Sequence, residues 1–232
     1  MRISLLCPSR ERPKKMFDTL ENWIAKSTGH FEIIISLDES DPSRGEYYKL
    51  FENVRVKIIL NENRSAIDAI NNAAKTATGD VFIVVSDDTD CPDRWNAHLL
   101  KELEGKYDFI VKTQDGIQKW IITMPIMDRV YYNRFGYVYH PGYLHMFCDT
   151  ELTCVADMTG RKIDIPLLFP HNHYSTGKSV KDSVSEKADK TWAQGEALFI
   201  ERAKGNFGLT HFPSKVTNQE YLNWLRMKGV KA

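Results

Sequence analysis

Three carboxylates follow directly after one strongly apolar stretch of the sequence. Val81–Val85 is typical of a buried β-strand, and Asp87, Asp88 and Asp90 come just after its end. Carboxylates this close repel one another unless a cation or water relieves them, and their oxygens suit Mg²⁺ and Mn²⁺. The cluster therefore predicts a divalent metal site at the carboxyl edge of a sheet. The alternative is an acidic turn in which Asp90 caps the next helix.

Two further polar groups are expected at the same edge. Asp38 follows the apolar run Phe31–Leu37, and Arg10 and Arg12 lie in the loop after the first predicted strand. Because parallel strands end at one edge of their sheet, Asp38 should lie near the acidic cluster. The two arginines could face a diphosphate. Turn chemistry at Asp38 and ordinary surface charge at the arginines are the alternatives.

Two more candidate sites lie in the second half of the chain. Asp149 and Glu151 begin the predicted helix Cys148–Thr159, where one of them could act as a general base. Acids at a helix N-terminus are also favoured by the helix dipole alone. His171 follows the strand-like segment Lys162–Phe169 and could complete a metal shell, although a lone histidine is more often structural.

The elements that must position these residues alternate between strand and helix. This alternation predicts an α/β fold with a mostly parallel central sheet flanked by helices, in which Val81–Val85 is central. Ile117–Pro125 is predicted to be a further strand. Asn172–Lys190, which is rich in Ser, Thr and Lys, is expected to be a mobile surface segment. Thr191–Lys204 and Asn218–Met227 are predicted to be amphipathic helices.

Bulk composition narrows the class of protein. A chain of 232 residues can bury a sizeable core, as one domain or as one domain with a C-terminal elaboration. A formal net charge of zero argues against a general nucleic-acid coat protein. No apolar run approaches the roughly 20 residues that span a bilayer, and no signal-peptide pattern opens the sequence. The four cysteines form no CxxC pair, which favours small core residues in a reducing, cytosolic compartment.

Taken in order, these motifs resemble those of the GT-A-fold glycosyltransferases, in particular the family 2-like group. The similarity covers Arg2 to Tyr174. As a short single-domain sequence with these motifs, the chain also resembles phage and environmental bacterial members of the group. Pro8–Arg12 matches a Pro-Ser-x-x-Arg loop, Asp38 an acid that reads the base, and Asn63–Asp80 an Asn-rich helix pattern that ends in Gly-Asp. Asp87–Asp90 matches a DxD block, Asp149–Glu151 an acidic helix start, and His171 a late histidine. Two positions depart from the pattern: Arg64 replaces a usual Gly, and Ser86 a usual first Asp.

The resemblance implies a nucleotide-diphosphate sugar, preferably a UDP-sugar, bound with Mn²⁺ or Mg²⁺. The Ser86 departure leaves the DxD motif ambiguous between Asp87-Asp88 and Asp88-Thr89-Asp90, so Asp88 belongs to it in either register. The implied metal ligands are Asp88, Asp90 and His171. The implied donor-binding residues are Pro8, Ser9, Arg10, Arg12, Asp38, Asn63, Asp87 and Asp88.

If the reaction inverts the anomeric carbon, the same resemblance implies that Asp149 deprotonates the acceptor, with Glu151 as the second candidate. In a retaining reaction Asp149 would only orient the acceptor or the sugar, and the sequence leaves both open. The acceptor would be a glycan or, in a phage, a modified nucleobase. Residues 1–174 would form the catalytic domain, and 175–232 a helical extension packed on it. No stable membrane insertion is expected, and the protein is therefore expected in the cytoplasm. For a phage protein this would be the cytoplasm of the host.

Two other functions stay open from the sequence. A nucleotidyltransferase acting on a sugar phosphate would use similar carboxylates, although Pro8–Pro13 lacks the glycine-rich loop of that class. A non-catalytic module that binds nucleotide sugars would keep the fold without turnover.

Overall fold

Seven strands form one mixed sheet in the computed structural model, which describes residues 1–178 and 180–230. The strands lie in the order β3-β2-β1-β4-β6-β5-β7, and β6 runs antiparallel to both of its neighbours whereas the other pairs are parallel. In chain order they are β1 (Ile3–Pro8), β2 (Glu32–Asp38), β3 (Lys57–Asn61), β4 (Val81–Val84), β5 (Ile110–Gln114), β6 (Ile126–Asp128) and β7 (Lys162–Leu168).

Helices connect and cover these strands. Pro13 opens the first helix at a position that needs no N–H donor, and its apolar spacing buries Met16, Leu20 and Trp23. Ser65 caps the third helix by accepting from the backbone N–H of Asp68. The helices are α1 (Pro13–Ala25), α2 (Arg44–Leu50), α3 (Ala66–Thr76), α4 (Trp95–Glu102), α5 (Arg129–Phe135), α6 (Cys148–Thr159), α7 (Ser183–Asp189), α8 (Trp192–Lys204) and α9 (Gln219–Met227).

The sheet has a hydrophobic core on each face. In β1, Leu5 packs into the core that α1 and α4 cover, and its neighbour Leu6 packs into the opposite core. The second core also receives Phe199 from α8 and Leu225 from α9. Helices therefore cover both faces of a mostly parallel sheet with β4 at its centre, and the predicted α/β fold with C-terminal helices is confirmed.

The strand predicted at Ile117–Pro125 is wrong. The carboxylate of Asp115 accepts hydrogen bonds from the backbone N–H groups of Ile117 and Gln118, both at 2.7 Å, and so turns the chain. The N–H of Ile122 then donates to the hydroxyl of Thr153 on α6 rather than to a strand. The side chains near the turn thus satisfy backbone groups that a ladder would have used, and the next strand is the short β6.

The segment expected to be mobile, residues 172–190, contains a 3₁₀ turn at Tyr174–Thr176 and the helix α7. Asp182 caps α7 and also forms an ion pair with Arg12. The segment therefore lies against the loop after β1, apart from Ser179, which is outside the described residues. The proposed domain boundary at residue 174 stays a prediction.

The cysteines are packed as the sequence predicted. Cys7, Cys91, Cys148 and Cys154 are all buried and free. Separately, no helix within residues 1–178 and 180–230 has both the length and the apolar character that a membrane crossing needs.

Candidate active site

The loop after β1 places Arg10 against Asp38, and both are predicted donor-binding residues. Because β1, β2 and β4 are parallel neighbours, their carboxyl ends open onto one edge of the sheet. Pro8 ends β1, and Ser9 is anchored by its N–H to the carbonyl of Ser36 and by its hydroxyl to Tyr47. Beyond it, Nη1 of Arg10 lies 3.0 Å from Oδ1 of Asp38.

Asp38 is held rigidly at the end of β2. Its carboxylate accepts from the N–H of Ser40 at 2.7 Å and from the N–H of Asn63 at 2.8 Å. The Asn63 side chain in turn donates to the carbonyl of Leu37. Burial alone would raise the pKa of Asp38, but the hydrogen bonds from Ser40 and Asn63 and the charge of Arg10 lower it. Asp38 is therefore an ionised acceptor whose position is fixed by backbone groups.

Asp87 is covered by basic side chains from the same loop and from α1. Nη1 of Arg12 lies 3.2 Å from Oδ1 of Asp87, and Nζ of Lys15 lies 3.3 Å from the same oxygen. Burial raises the pKa of Asp87, and the two cations only partly offset this effect. The other side of the Arg12 guanidinium binds Asp182, with Nε 2.7 Å from Oδ2. Arg12 thus links the end of β4 to the start of α7.

Asp88 lies opposite His171, at the start of the segment after β7. Nε2 of His171 is 3.3 Å from Oδ2 of Asp88, and the Ser86 hydroxyl donates to Oδ1 at 2.6 Å. Backbone hydrogen bonds fix the pair, because the N–H of Asn172 donates to the Asp88 carbonyl at 2.7 Å. Burial opposes ionisation of Asp88, yet the His171 contact brings its pKa well below the usual range. The pKa of His171 is raised, since Asp88 outweighs the effect of burial.

Asp90 is not brought into this group. Its carboxylate lies against α1, where Oδ1 is 2.9 Å from Nζ of Lys26 and also accepts from Asn22. It accepts from the N–H of Cys91 as well. No group of three or more His, Cys, Asp or Glu side chains that could hold a metal occurs among residues 1–178 and 180–230. The structure therefore brings together two of the three predicted ligands, Asp88 and His171.

The two acids that begin α6 have different environments. Asp149 is partly buried and accepts from the N–H of its neighbour Thr150 at 2.7 Å. Burial raises its pKa, although the charge of nearby His145 opposes that shift. Asp149 also lies close enough to His171 for its charge to help raise the histidine pKa. Asp149 therefore lies near the Asp88–His171 pair.

Glu151 points instead into the core beside α8. Its oxygens lie 2.9 Å and 2.8 Å from Nε of Arg202, and Tyr143 donates its hydroxyl to Oε2 at 2.7 Å. The Glu151 residue is only 3% exposed. Both oxygens of this carboxylate are therefore engaged by protein groups, and the contact with Arg202 joins α6 to α8.

Sequence reasoning missed several residues of this region. Lys15 lies one helical turn after Arg12, so the spacing of two cations at the start of α1 could have identified it. Ser86 stands out in the sequence only as a departure from a motif, and no local pattern predicts that its hydroxyl donates to Asp88. Asp182 and Arg202 carry no local signal, because their partners lie 170 and 51 residues away.

Comparison with known proteins decides the family. Residues 4–165 match the model of the family described as Glycosyl transferase family 2. The chain belongs to this family. A comparison with curated proteins gave no significant match.

Solved structures of several other proteins are similar to this family 2 chain in fold. S. aureus TarS 1–349 in complex with UDP superimposes with a TM-score of 0.61 at 14% identity, over 73% of this chain and 59% of that one. The Pyrobaculum calidifontis mannosyltransferase PcManGT, in complex with GDP-Man and Mn²⁺, gives 0.61 at 16% identity, over 88% and 61%. S. aureus TarS 1–349 in complex with UDP-GlcNAc gives 0.63 at 11% identity, over 97% and 70%.

These comparisons confirm the resemblance and the fold that the sequence predicted. The chain spans about three fifths of the length of the first two structures, at 59% and 61%. At identities of 11% to 16% the superpositions show the fold alone.

Proposed function

We propose that this protein transfers a sugar from a nucleotide-diphosphate sugar to an acceptor hydroxyl with the help of a divalent metal. The observation that carries the proposal is the Asp88–His171 pair, at 3.3 Å, on the edge of the sheet that also holds Asp38. Asp149 lies within electrostatic reach of this pair. A nucleotide site, a metal site and a base would then be adjacent, which is the set of groups that sugar transfer needs.

The donor would lie along the carboxyl edge of β1, β2 and β4. Asp38, ionised and fixed by Asn63, would accept from the base or ribose, while Arg10 and Arg12 would face the diphosphate. Pro8 and Ser9 would shape the loop that carries both arginines, and Asp87 would hold Arg12 in place. A UDP-sugar is the proposed donor. TarS with UDP-GlcNAc and PcManGT with GDP-Man support a nucleotide sugar of this kind.

The residues of the site fit Mn²⁺ or Mg²⁺. A carboxylate and an imidazole within hydrogen-bond distance can both turn to one cation, and the mixed donor set suits Mn²⁺ better than Mg²⁺. Since the described residues gather only these two ligands, the remaining positions would be left to donor phosphates and water. When bound, the ion would neutralise charge that develops on the leaving nucleoside diphosphate. Asp90 is not proposed as a ligand, because Lys26 holds its carboxylate.

Asp149 is the proposed general base of an inverting reaction. A pKa raised by burial makes this carboxylate a stronger proton acceptor than an exposed aspartate. It would take the proton of the acceptor hydroxyl as that oxygen attacks the anomeric carbon and the nucleoside diphosphate leaves. Glu151, whose oxygens are both engaged by Arg202, would support α6 instead.

A donor screen followed by product analysis tests this function. Nucleotide sugars with Mn²⁺ are screened by thermal shift, because a ligand of the native state raises its apparent stability. The donor that binds is then incubated with the enzyme, and the products are separated. Release of free nucleoside diphosphate supports glycosyl transfer. Release of pyrophosphate would indicate a nucleotidyltransferase, and binding without any turnover would indicate a non-catalytic module.

A further inference from the structure

A cavity with aromatic walls lies beside α6, between that helix and the C-terminal helices. Its volume is about 390 Å³, within the size range of small-molecule sites. Five of its lining residues are aromatic, and they come from four segments of the chain: Trp120, Phe147, Trp192, Tyr221 and Trp224. None of the motifs that place the donor falls in this cavity.

The aromatic rings pack against one another, and Trp192 also stays exposed to solvent. Trp120 packs on Tyr221 with ring centroids 4.8 Å apart, and Tyr221 stacks on Trp224 at 5.6 Å. Phe147 stacks on Trp224 at 6.2 Å and meets Trp192 edge to face at 5.1 Å. Trp192 nevertheless stays 57% exposed, a large apolar surface for a residue at the start of a helix. Rigid, exposed aromatic faces stack well on the C–H faces of sugar rings, because little side-chain entropy is lost.

One lining residue of the cavity is in direct contact with the candidate base. Thr150 lines it and is 8% exposed, and the same residue donates to Asp149 through its N–H at 2.7 Å and its hydroxyl at 3.3 Å. Phe147, the residue before α6, lines the cavity as well. A molecule held against these two residues would lie next to Asp149, as an acceptor must.

The charges around the cavity disfavour a nucleic acid. Its polar lining consists of Thr150, Glu196, Asn218 and Glu220, and no Lys or Arg lines it in the described part of the chain. Glu196 is paired with Lys228, 2.7 Å away, but Glu220 adds a negative charge at the rim. Phosphate backbones are held chiefly by Lys and Arg. Carboxylates and an amide, by contrast, suit the hydroxyl groups of an uncharged sugar.

We propose that this cavity is the acceptor subsite and that it binds an uncharged saccharide, with Trp192 as a stacking platform. The inference rests on the proposed transfer reaction and narrows its acceptor from a glycan or a nucleobase to a neutral glycan. The C-terminal extension would then supply acceptor specificity, since α8 and α9 carry three of the five aromatic walls.

The test measures acceptor binding apart from donor binding. The full-length protein with Mn²⁺ and UDP is applied to an array of neutral glycans, acidic glycans and oligonucleotides. The best neutral glycan is then titrated against wild type, Trp192→Ala, Trp192→Phe and Tyr107→Ala. Tyr107 is the matched control because it is 73% exposed and lies outside the cavity. Trp192 is exposed enough that its removal should leave the fold intact, which the unfolding midpoint checks.

Binding to neutral glycans is expected, weakened about fivefold or more by Trp192→Ala, largely restored by Trp192→Phe and unchanged by Tyr107→Ala. The proposal is overturned if no neutral glycan binds, if oligonucleotides bind in their place, or if Trp192→Ala binds as wild type does. Thermal shift with a nucleotide sugar and Mn²⁺ is measured on the same variants. Glycan binding without any donor shift would contradict the proposed function but support the glycan site. A donor shift without glycan binding would support the proposed function but contradict the glycan site.

Discussion

The imidazole of His171 faces the carboxylate of Asp88, with Nε2 3.3 Å from Oδ2. The pair joins the end of β4 to the segment after β7, and each group shifts the other's pKa: that of Asp88 is lowered and that of His171 is raised. Asp88 therefore adds stability above about pH 4, and His171 adds it fully below about pH 6.5. Without metal, the pair stabilises the fold most between these two values.

Replacement of Asp88 should remove metal-dependent chemistry. We expect Asp88→Asn to lower Mn²⁺-dependent release of nucleoside diphosphate by on the order of 100-fold, because it removes a charged ligand. The measurement is the initial rate against MnCl₂ concentration, with the donor found by thermal shift. Asp90→Asn is the matched control, since Asp90 is held by Lys26 and should keep the wild-type metal dependence. Equal losses in the two variants would show that the metal site is shared by both aspartates.

Asp149→Asn should stop transfer without loss of donor binding. The loss expected for a missing general base is about 100-fold to 10,000-fold. Because burial raises the pKa of Asp149, the wild-type rate should fall as the pH drops through a value above the ordinary aspartate pKa. The profile of kcat/KM against pH, with donor affinity by thermal shift, measures both effects. A product with retained anomeric configuration, or an active Asp149→Asn, would rule out this base.

Glu151→Gln should act on stability. Loss of the charge leaves Arg202 without its buried partner, and we expect a loss of about 2–3 kcal/mol in the free energy of unfolding. Urea denaturation measures it. The double variant with Arg202→Met should recover part of the loss, because no unpaired charge remains. If Glu151→Gln were as stable as wild type and catalytically dead, Glu151 and not Asp149 would be the base.

Much of the fold and part of the site could be predicted from the sequence. The apolar, buried runs of β1 and β4 reveal the sheet, and carboxylates after parallel strands reveal its functional edge. The choice between Asp88 and Asp90 could not be read in this way. The N–H of Thr89 donates to the carbonyl of Ser86, so the chain turns after β4 and its side chains no longer alternate. Asp90 consequently points towards α1.

Long-range pairs escaped prediction for a different reason. The Arg12–Asp182 and Glu151–Arg202 contacts depend on how the C-terminal segment packs, and no local spacing encodes that packing. The loop after β5 was mistaken for a strand because its apolar residues, such as Ile122, are buried without a ladder. In each case tertiary contacts decided the conformation or the role of the side chain.

Asp182→Asn should loosen the segment around α7. Asp182 binds the guanidinium of Arg12, whose hydrogen bond contributes most to lowering the Asp182 pKa. Loss of one partly buried, charge-assisted pair of about 1 kcal/mol should speed tryptic cleavage at Lys187 and Lys190 about fivefold. Native-state proteolysis followed by mass spectrometry measures it. Asp18→Asn, which breaks the exposed pair with Lys14 on α1, is the control and should leave those rates unchanged.

Two helical glycines should respond to alanine with opposite signs. Gly45 in α2 has nothing within 4 Å of the position that a Cβ would occupy, whereas in α8 a Cβ on Gly195 would collide with the carbonyl oxygen of Met146. Alanine favours a helix by about 1 kcal/mol over glycine, so Gly45→Ala should be neutral or stabilising. Gly195→Ala should cost about 1–3 kcal/mol despite that gain, because backbone must move.

The Gly195→Ala substitution should also lower the rate of sugar transfer. Met146 immediately precedes Phe147 and α6, so moving α8 away from it displaces both the Phe147–Trp192 wall and Asp149. We therefore expect transfer to fall in Gly195→Ala while donor affinity, which depends on the β1, β2 and β4 edge, stays close to wild type. Urea denaturation, initial rates and donor thermal shifts on both glycine variants measure this. A Gly195→Ala protein as stable as Gly45→Ala would show that α8 does not pack closely against the Met146 carbonyl.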